Sequence, residues 1–349
     1  MKRKKNRCEV DKLFVFGAGA SFCATQGRKI ENQAPLDKDF CARIENVKVQ
    51  KPAWVNRSRD TIVSAWKDHI PFKDYGLEQA IIRHLGHTEF RQAIHKRARQ
   101  SALSDVDYLN NIAHLICHTL RRAKENSKAP YRELFTNNFA SDDPTNRVIT
   151  FNYDDLLDRH FLSHYPSQQV YFDRFDIGPL SATRKHKFPD PLLIKLHGSV
   201  NWRCSKADLA AIVDGASHST DEYAIDEIRF SEKGTPSPDE DSSPLIIPPL
   251  PTKPITRLRL FCFLWTKAYE YLHEANDLVI CGYSLPETDR LAQSMFANFS
   301  NNKLGSVTII DCNPAILSKW RGLFKRSSIN QKAKWSYHET FSEYVASGA

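Results

Sequence analysis

Short apolar runs alternate with stretches of helical periodicity along most of the chain. Lys12 to Phe16 is an aromatic and β-branched run that leads directly into Gly17-Ala18-Gly19-Ala20-Ser21, after which the residues suit a helix: strand, tight turn, helix start. Four later runs read as buried strands of a parallel sheet: Val148 to Phe151, Leu192 to Leu196, Asp277 to Cys281 and Val307 to Ile310. Helices are expected between them at Asp154 to Leu162, at about Thr256 to Ala275, and at Arg290 to Phe299. From about residue 50 to 145 the pattern is helical instead. Leu77, Ala80, Ile81 and Leu85 recur at three- and four-residue spacing, as do Leu109, Ile112, Leu115, Ile116 and Leu120.

This order predicts an α/β fold, a Rossmann-like doubly wound parallel sheet with an inserted helical layer, built on residues 11–349 behind a basic tail at 1–10. Ser231 to Pro244, rich in Ser, Pro, Asp and Glu, reads as a flexible surface loop at about 231–244. The formal charge is +8, but Lys2, Arg3, Lys4, Lys5 and Arg7 contribute five positive charges. The remainder is nearly balanced, so the basic balance does not by itself define a nucleic-acid enzyme, and the tail is a solvated run or a grip for phosphates. Leu13 to Phe16 is too short for an export signal, and no run approaches the roughly 20 apolar residues of a membrane span, so a soluble cytoplasmic protein is expected. The eight cysteines are scattered without a CxxC pair, which suits reduced thiols. His114, Cys117 and His118 share a helical stretch, but no second ligand cluster accompanies them, so a mixed-face helix is favoured over a metal site.

In the Gly17 to Ser21 loop, glycines let backbone approach a pyrophosphate, and the helix start aims free N–H groups and a positive dipole end at it. A plain structural turn is the alternative. The dehydrogenase pattern GxGxxG is incomplete, because Phe22 stands at the third glycine. Thr150-Phe151-Asn152-Tyr153-Asp154 closes the second strand and Leu193-Ile194-Lys195-Leu196-His197-Gly198-Ser199 the third, so their polar groups reach one carboxyl edge of the sheet.

These motifs in this order resemble the SIR2-like (sirtuin-fold) family: a GAG-S loop, a Thr-x-Asn-x-Asp strand end, then His-Gly. The resemblance continues through Gly282-Tyr283-Ser284-Leu285-Pro286-Glu287-Thr288-Asp289 and Asp311-Cys312-Asn313-Pro314, covering most of residues 12 to 315. It implies that Gly17, Ala18, Gly19 and Ser21 hold the pyrophosphate of NAD, that Asp311 and Asn313 lie near the adenosine ribose, and that Gly282 and Ser284 close that side. It places Asn152 and Asp154 beside the nicotinamide ribose and His197 at its hydroxyls or the attacking water. Each also has a structural reading: Asn152 a side-chain turn, Asp154 a helix cap, His197 a satisfied core histidine.

Deacylating sirtuins carry a zinc ribbon of paired cysteines between the His-Gly and Gly-x-Ser motifs. Here that interval holds only Cys204, Cys262 and Cys281, so no zinc ribbon and no metal are expected. The matching subgroup is the zinc-free SIR2-like proteins of prokaryotic antiviral defence, which hydrolyse NAD. The resemblance therefore implies an NAD+ glycohydrolase that takes NAD as substrate, an NAD-depleting effector of abortive infection, with Asn152 positioning water or ribose, His197 accepting a proton and Asp154 holding the constellation. It further implies a homo-oligomer or a separately encoded partner such as a HerA-type ATPase or a short Argonaute. Cyclisation is chemically adjacent to hydrolysis. The rival readings are an NAD-dependent protein deacylase and a catalytically silent NAD or ADP-ribose module; a dehydrogenase fits worst.

Overall fold

A computed structural model describes residues 10–47, 53–67, 76–83, 105–141, 144–171, 190–205, 229–230, 242–247, 259–325, 327–329 and 332–348. Six strands form one parallel sheet: β1 (Val10–Phe16), β2 (Arg147–Thr150), β3 (Leu193–Lys195), β7 (Ala275–Cys281), β9 (Ser306–Ile310) and β11 (Lys334–His338). Between β3 and β7, the strands β4 (Gly198–Ser205), β5 (Arg229–Phe230) and β6 (Ser242–Ile246) make a small antiparallel sheet, and β8 (Ser300–Asn301) pairs with β10 (Ser328–Ile329).

The spatial order of the large sheet is β11-β9-β7-β1-β2-β3. One half of the chain winds outward from β1 through β2 to β3, and the other from β7 through β9 to β11, so the direction reverses between β1 and β7. That switch point opens a crevice at the carboxyl ends of the strands. The order is consistent with a Rossmann-like arrangement.

Leu13 to Phe16 are all buried, as the continuous apolar run requires of a central strand. Phe14 and Phe16 stand on one pleat face with their rings 6.2 Å apart. They pack against Tyr131 and Phe139 on one side of the chain's insertion and Phe341 near the C-terminus. The amphipathic helix Arg259–Glu274 packs along β1, β3 and β7, close to its expected bounds. Helices Leu156–Leu162 and Arg290–Asn298 likewise lie within the spans that the periodicity marks out.

Between β1 and β2 lie helices Asp37–Glu45, Ala53–Lys67, Asp105–Leu120 and Pro130–Asn138, with a helical segment at 77–83. The first three gather Phe40, Ile44, Ile62, Trp66 and Ile112 into a second apolar cluster, separate from that of the sheet. Trp66 donates its indole N–H to the Tyr108 hydroxyl inside it, at 2.9 Å. Val200 of β4 and Ile246 of β6 join this cluster, so the small sheet bridges the helical region to the large sheet's edge.

Several elements lie outside the sequence reading, among them β4, β5, β8, β10 and the helices Ala315–Phe324 and Phe341–Ala346, and two further differences are instructive. Strand β11 is missing from it, because Lys334 to His338 alternates at an edge and is nowhere buried. Ser242 to Pro244, assigned to the surface loop, belong to β6 and pair with Ser205, Cys204 and Arg203. Ser243 is fully buried and donates to Asn110 Oδ1 at 2.5 Å. Backbone pairing and this single hydroxyl contact order a segment whose composition favours a loop. Residues 231–241 of that loop, the 1–9 tail and Leu85 lie outside the described residues.

Candidate functional site

The crevice at the β1/β7 switch is a cleft of about 720 Å³, within the usual range of ligand pockets. One wall is the turn after β1. Gly17 N–H donates to the Cys281 carbonyl at 3.0 Å and Gly19 N–H to the Gly282 carbonyl at 2.9 Å. The two turns cross so closely that a Cβ on Gly17 would lie 2.5 Å from the Gly282 oxygen, and one on Gly282 only 2.1 Å from the Ala20 nitrogen. Gly282 also has φ +60°, a left-handed conformation that side chains resist. The glycines thus serve the approach of one backbone turn to the other. Helix Ala18–Thr25 starts here with Gly17 as its N-cap. Its Gly19 and Ala20 N–H groups are already paired, with Gly282 and Gly17, so fewer first-turn donors face the cleft than the loop sequence promises.

Next to this turn, at the end of β2, Asn152 spends both amide hydrogens on the glycine loop, donating to the Gly17 carbonyl at 2.9 Å and to Ser21 Oγ at 3.0 Å. Its Oδ1 is the atom left to meet a ligand hydroxyl or water. Ser21 Oγ lies 3.0 Å from the buried Tyr131 hydroxyl. Asp154 is buried and accepts the Leu156 N–H at 3.2 Å, bracing the start of the next helix. Burial raises its carboxyl above the ordinary range, and Lys195 and Ser21 counter that in part.

Beneath it, Lys195 Nζ donates to the Asp154 carbonyl at 2.5 Å and to Asp158 Oδ2 at 2.8 Å, with both side chains of that ion pair 1% exposed. Tyr171 completes the support by donating to Asp158 Oδ1 at 2.5 Å.

His197 ends the β3 segment at the far side of the cleft. Gly198 after it turns with φ +78°, and a Cβ there would sit 2.1 Å from the Leu245 oxygen, so the turn that aims His197 admits only glycine. The imidazole is surrounded by the rings of Phe151, Tyr153 and Trp265. Its Nε2 is 3.7 Å from Asp289 Oδ2, and the same oxygen accepts the Tyr283 hydroxyl at 2.8 Å. Tyr283 stacks on Phe151 with centroids 4.0 Å apart. Burial, and then the carboxylates of Asp289, Glu78 and Asp37 around it, hold the Tyr153 phenol well above its usual range. Glu78 is fixed at 2.7 Å by the Thr288 hydroxyl.

The cleft is therefore lined by Ala18, Gly19, Ser21, Asn152, Asp154, His197, Gly282, Ser284 and Asp311 among the expected site residues. Gly17 stands behind it, as the carbonyl that Asn152 grips. Asn313 is exposed outside the lining, and its side chain accepts the Ala315 N–H at 3.1 Å at the start of the next helix. Asp311 Oδ1 accepts the Asn313 N–H at 2.8 Å, and burial raises its carboxyl. Glu78 and Asp37 line the cleft and Tyr131 supports Ser21 from behind it, and sequence reasoning passes over all three, because they come from the helical region and carry no strand-end motif. Asp289 was visible as the last residue of GYSLPETD, but its pairing with His197 is not encoded in spacing.

Among the described residues no group of three or more His, Cys, Asp or Glu side chains is placed to hold a metal ion. His118 is a buried core histidine: burial, then the nearby Arg121 and Arg122, pushes its pKa down to about 4. No helix among the described residues is long and apolar enough to cross a membrane. Compared with known proteins, the chain matches no family model and no curated sequence. The resemblance to SIR2-like proteins rests on the motifs themselves.

Proposed function

We propose that the cleft binds NAD and hydrolyses the bond between nicotinamide and ribose, in a Rossmann-like fold of the zinc-free SIR2-like kind. The observation that carries this reading is the meeting, in one cleft, of a glycine turn with a helix start and of Asn152 with His197. The first pair suits a pyrophosphate and the second suits a ribose under attack. The carboxylates of Asp37, Glu78 and Asp289 line the same cleft as His197, and such a wall favours a cationic pyridinium and the oxocarbenium-like state that follows it.

In the reaction, the bond from ribose C1′ to the pyridinium nitrogen breaks and its electron pair leaves with neutral nicotinamide. A water oxygen bonds to C1′, and the proton it sheds passes to His197. Asn152 Oδ1 orients water or a ribose hydroxyl, while Asp154, braced by Lys195, keeps Asn152 and Ser21 in place. The products are nicotinamide and ADP-ribose. Unrestrained turnover would drain the cell's NAD, so this reading brings external control with it, by self-assembly or by a partner chain, as in an antiviral effector.

Purified protein incubated with NAD, with products resolved by chromatography, tests the reading. Nicotinamide and ADP-ribose in equal amounts are expected. A protein that neither cleaves NAD nor binds it in calorimetry overturns it.

A further inference from the structure

We propose that Asp289 is a positioning residue for His197, and that the two side chains, anchored by Tyr283, form the proton-accepting pair of the cleft. The inference rests on the proposed hydrolysis of NAD and deepens it.

Three observations carry the pair. His197 Nε2 faces Asp289 Oδ2 at 3.7 Å, with their side chains 7% and 4% exposed. Asp289 is the N-cap residue of helix Arg290–Asn298, a position where an aspartate normally accepts a helix N–H, yet its side chain makes no capping bond. Its carboxylate is turned instead to the Tyr283 hydroxyl, 2.8 Å from the oxygen that faces His197. Tyr283 is itself locked by the near-parallel Phe151 ring, at an interplanar angle of 6°. A helix cap is given up so that a carboxylate can face an imidazole.

Neutral His197 carries one ring hydrogen and takes a second from the attacking water. At 3.7 Å, Nε2 and Asp289 Oδ2 lie beyond hydrogen-bond distance. Once the ring has taken the proton from water, the imidazolium gains Asp289 as its ion partner. The proton leaves to solvent when the products do. Among the described residues, the charged and titratable groups around this pair are Asp37 and Glu78 across the cleft, Lys38 on its wall, and the phenols of Tyr153 and Tyr283.

The test compares wild type with Asp289→Asn, an isostere that can still accept from Tyr283. The His197 ring is titrated by NMR, its signal assigned by its loss in His197→Gln. Without the carboxylate the imidazolium is less stabilised, so the midpoint falls, by roughly one pH unit. The acid limb of NAD cleavage moves to lower pH with it, and kcat drops about tenfold or more while KM changes little. Asp289→Ser, which removes the charge and suits the start of helix Arg290–Asn298, moves both readouts the same way, and it serves if Asp289→Asn does not fold. An unchanged His197 titration and an unchanged pH profile in these variants overturn the pairing. A wild-type protein that neither releases nicotinamide nor binds NAD overturns the functional reading instead, and the NMR titration still decides the pair.

Discussion

The two ends of the cleft are specified by different physics. At the glycine end, the crossing of the turns after β1 and β7 leaves no room for a Cβ on Gly17 or Gly282, so space dictates identity. At the polar end, Asn152, His197 and Asp289 are set by what their polar atoms meet: the Gly17 carbonyl, the facing carboxylate and the Tyr283 hydroxyl. A ligand anchor can be built from backbone alone, whereas proton transfer needs particular side chains. Substitutions at the first end should therefore act on folding and binding, and those at the second on turnover.

The largest effect is expected at the glycine end. Gly282→Val combines a left-handed φ with a Cβ 2.1 Å from the Ala20 nitrogen, and should cost about 3 kcal/mol or more, with loss of NAD binding. Urea unfolding and calorimetry measure both; a stable variant that binds NAD normally would dissolve the contrast between the two ends.

His197→Ala should lower NAD cleavage by roughly a hundredfold, about 2.7 kcal/mol in the barrier, with affinity nearly unchanged. Asn152→Ala sharpens the comparison, because it spans both ends. It should lose turnover to a similar degree and also weaken binding, since the Gly17 carbonyl and Ser21 hydroxyl lose the donor that fixes the loop, at about 1–3 kcal/mol. Steady-state kinetics on folded protein separates the two: a pure kcat effect in Asn152→Ala would deny it the loop-holding role.

Asp154→Asn addresses the cost of the polar end. Burial raises the carboxyl in the folded state, so the fold binds a proton more tightly than the unfolded chain and loses stability as pH rises through that range. The amide carries no charge and can still accept the Leu156 N–H. The variant should melt above wild type near pH 8, with the gap closing toward about pH 4, where the unfolded carboxyl is itself protonated. Melting curves across pH check the sign, and a lower melting point at every pH would refute it. The smallest effect is expected far from the cleft, at Gly322 in helix Ala315–Phe324, where a Cβ meets nothing within 4 Å. Gly322→Ala should add up to about 1 kcal/mol without touching turnover.

The same division explains what was legible in the sequence. Five of the six sheet strands announced themselves, because a strand buried on both faces must be a continuous apolar run, as Leu13 to Phe16 and Leu278 to Cys281 are. β11 did not, since an edge strand half open to solvent need not be apolar, and β6 did not, since its order comes from pairing with distant β4. At the site, Asn152, Asp154 and His197 were readable because strand ends collect on one edge. Asp289 facing His197 and Tyr131 facing Ser21 join elements whose approach is set by packing, which no local spacing records.

The crossed glycine turns also bear on how the protein comes to be made. Gly19 and Gly282 meet across most of the chain's length, and Phe341 must arrive to pack on Phe16 beneath them. Contacts so distant in sequence close late in folding, after the long loop between them has been drawn in. A ribosome-bound chain that has released only β1 to β4 carries Asn152 and His197 but no cleft to use them in. On the proposed reading, a nascent chain would stay harmless to its host until its second half had been synthesised and docked.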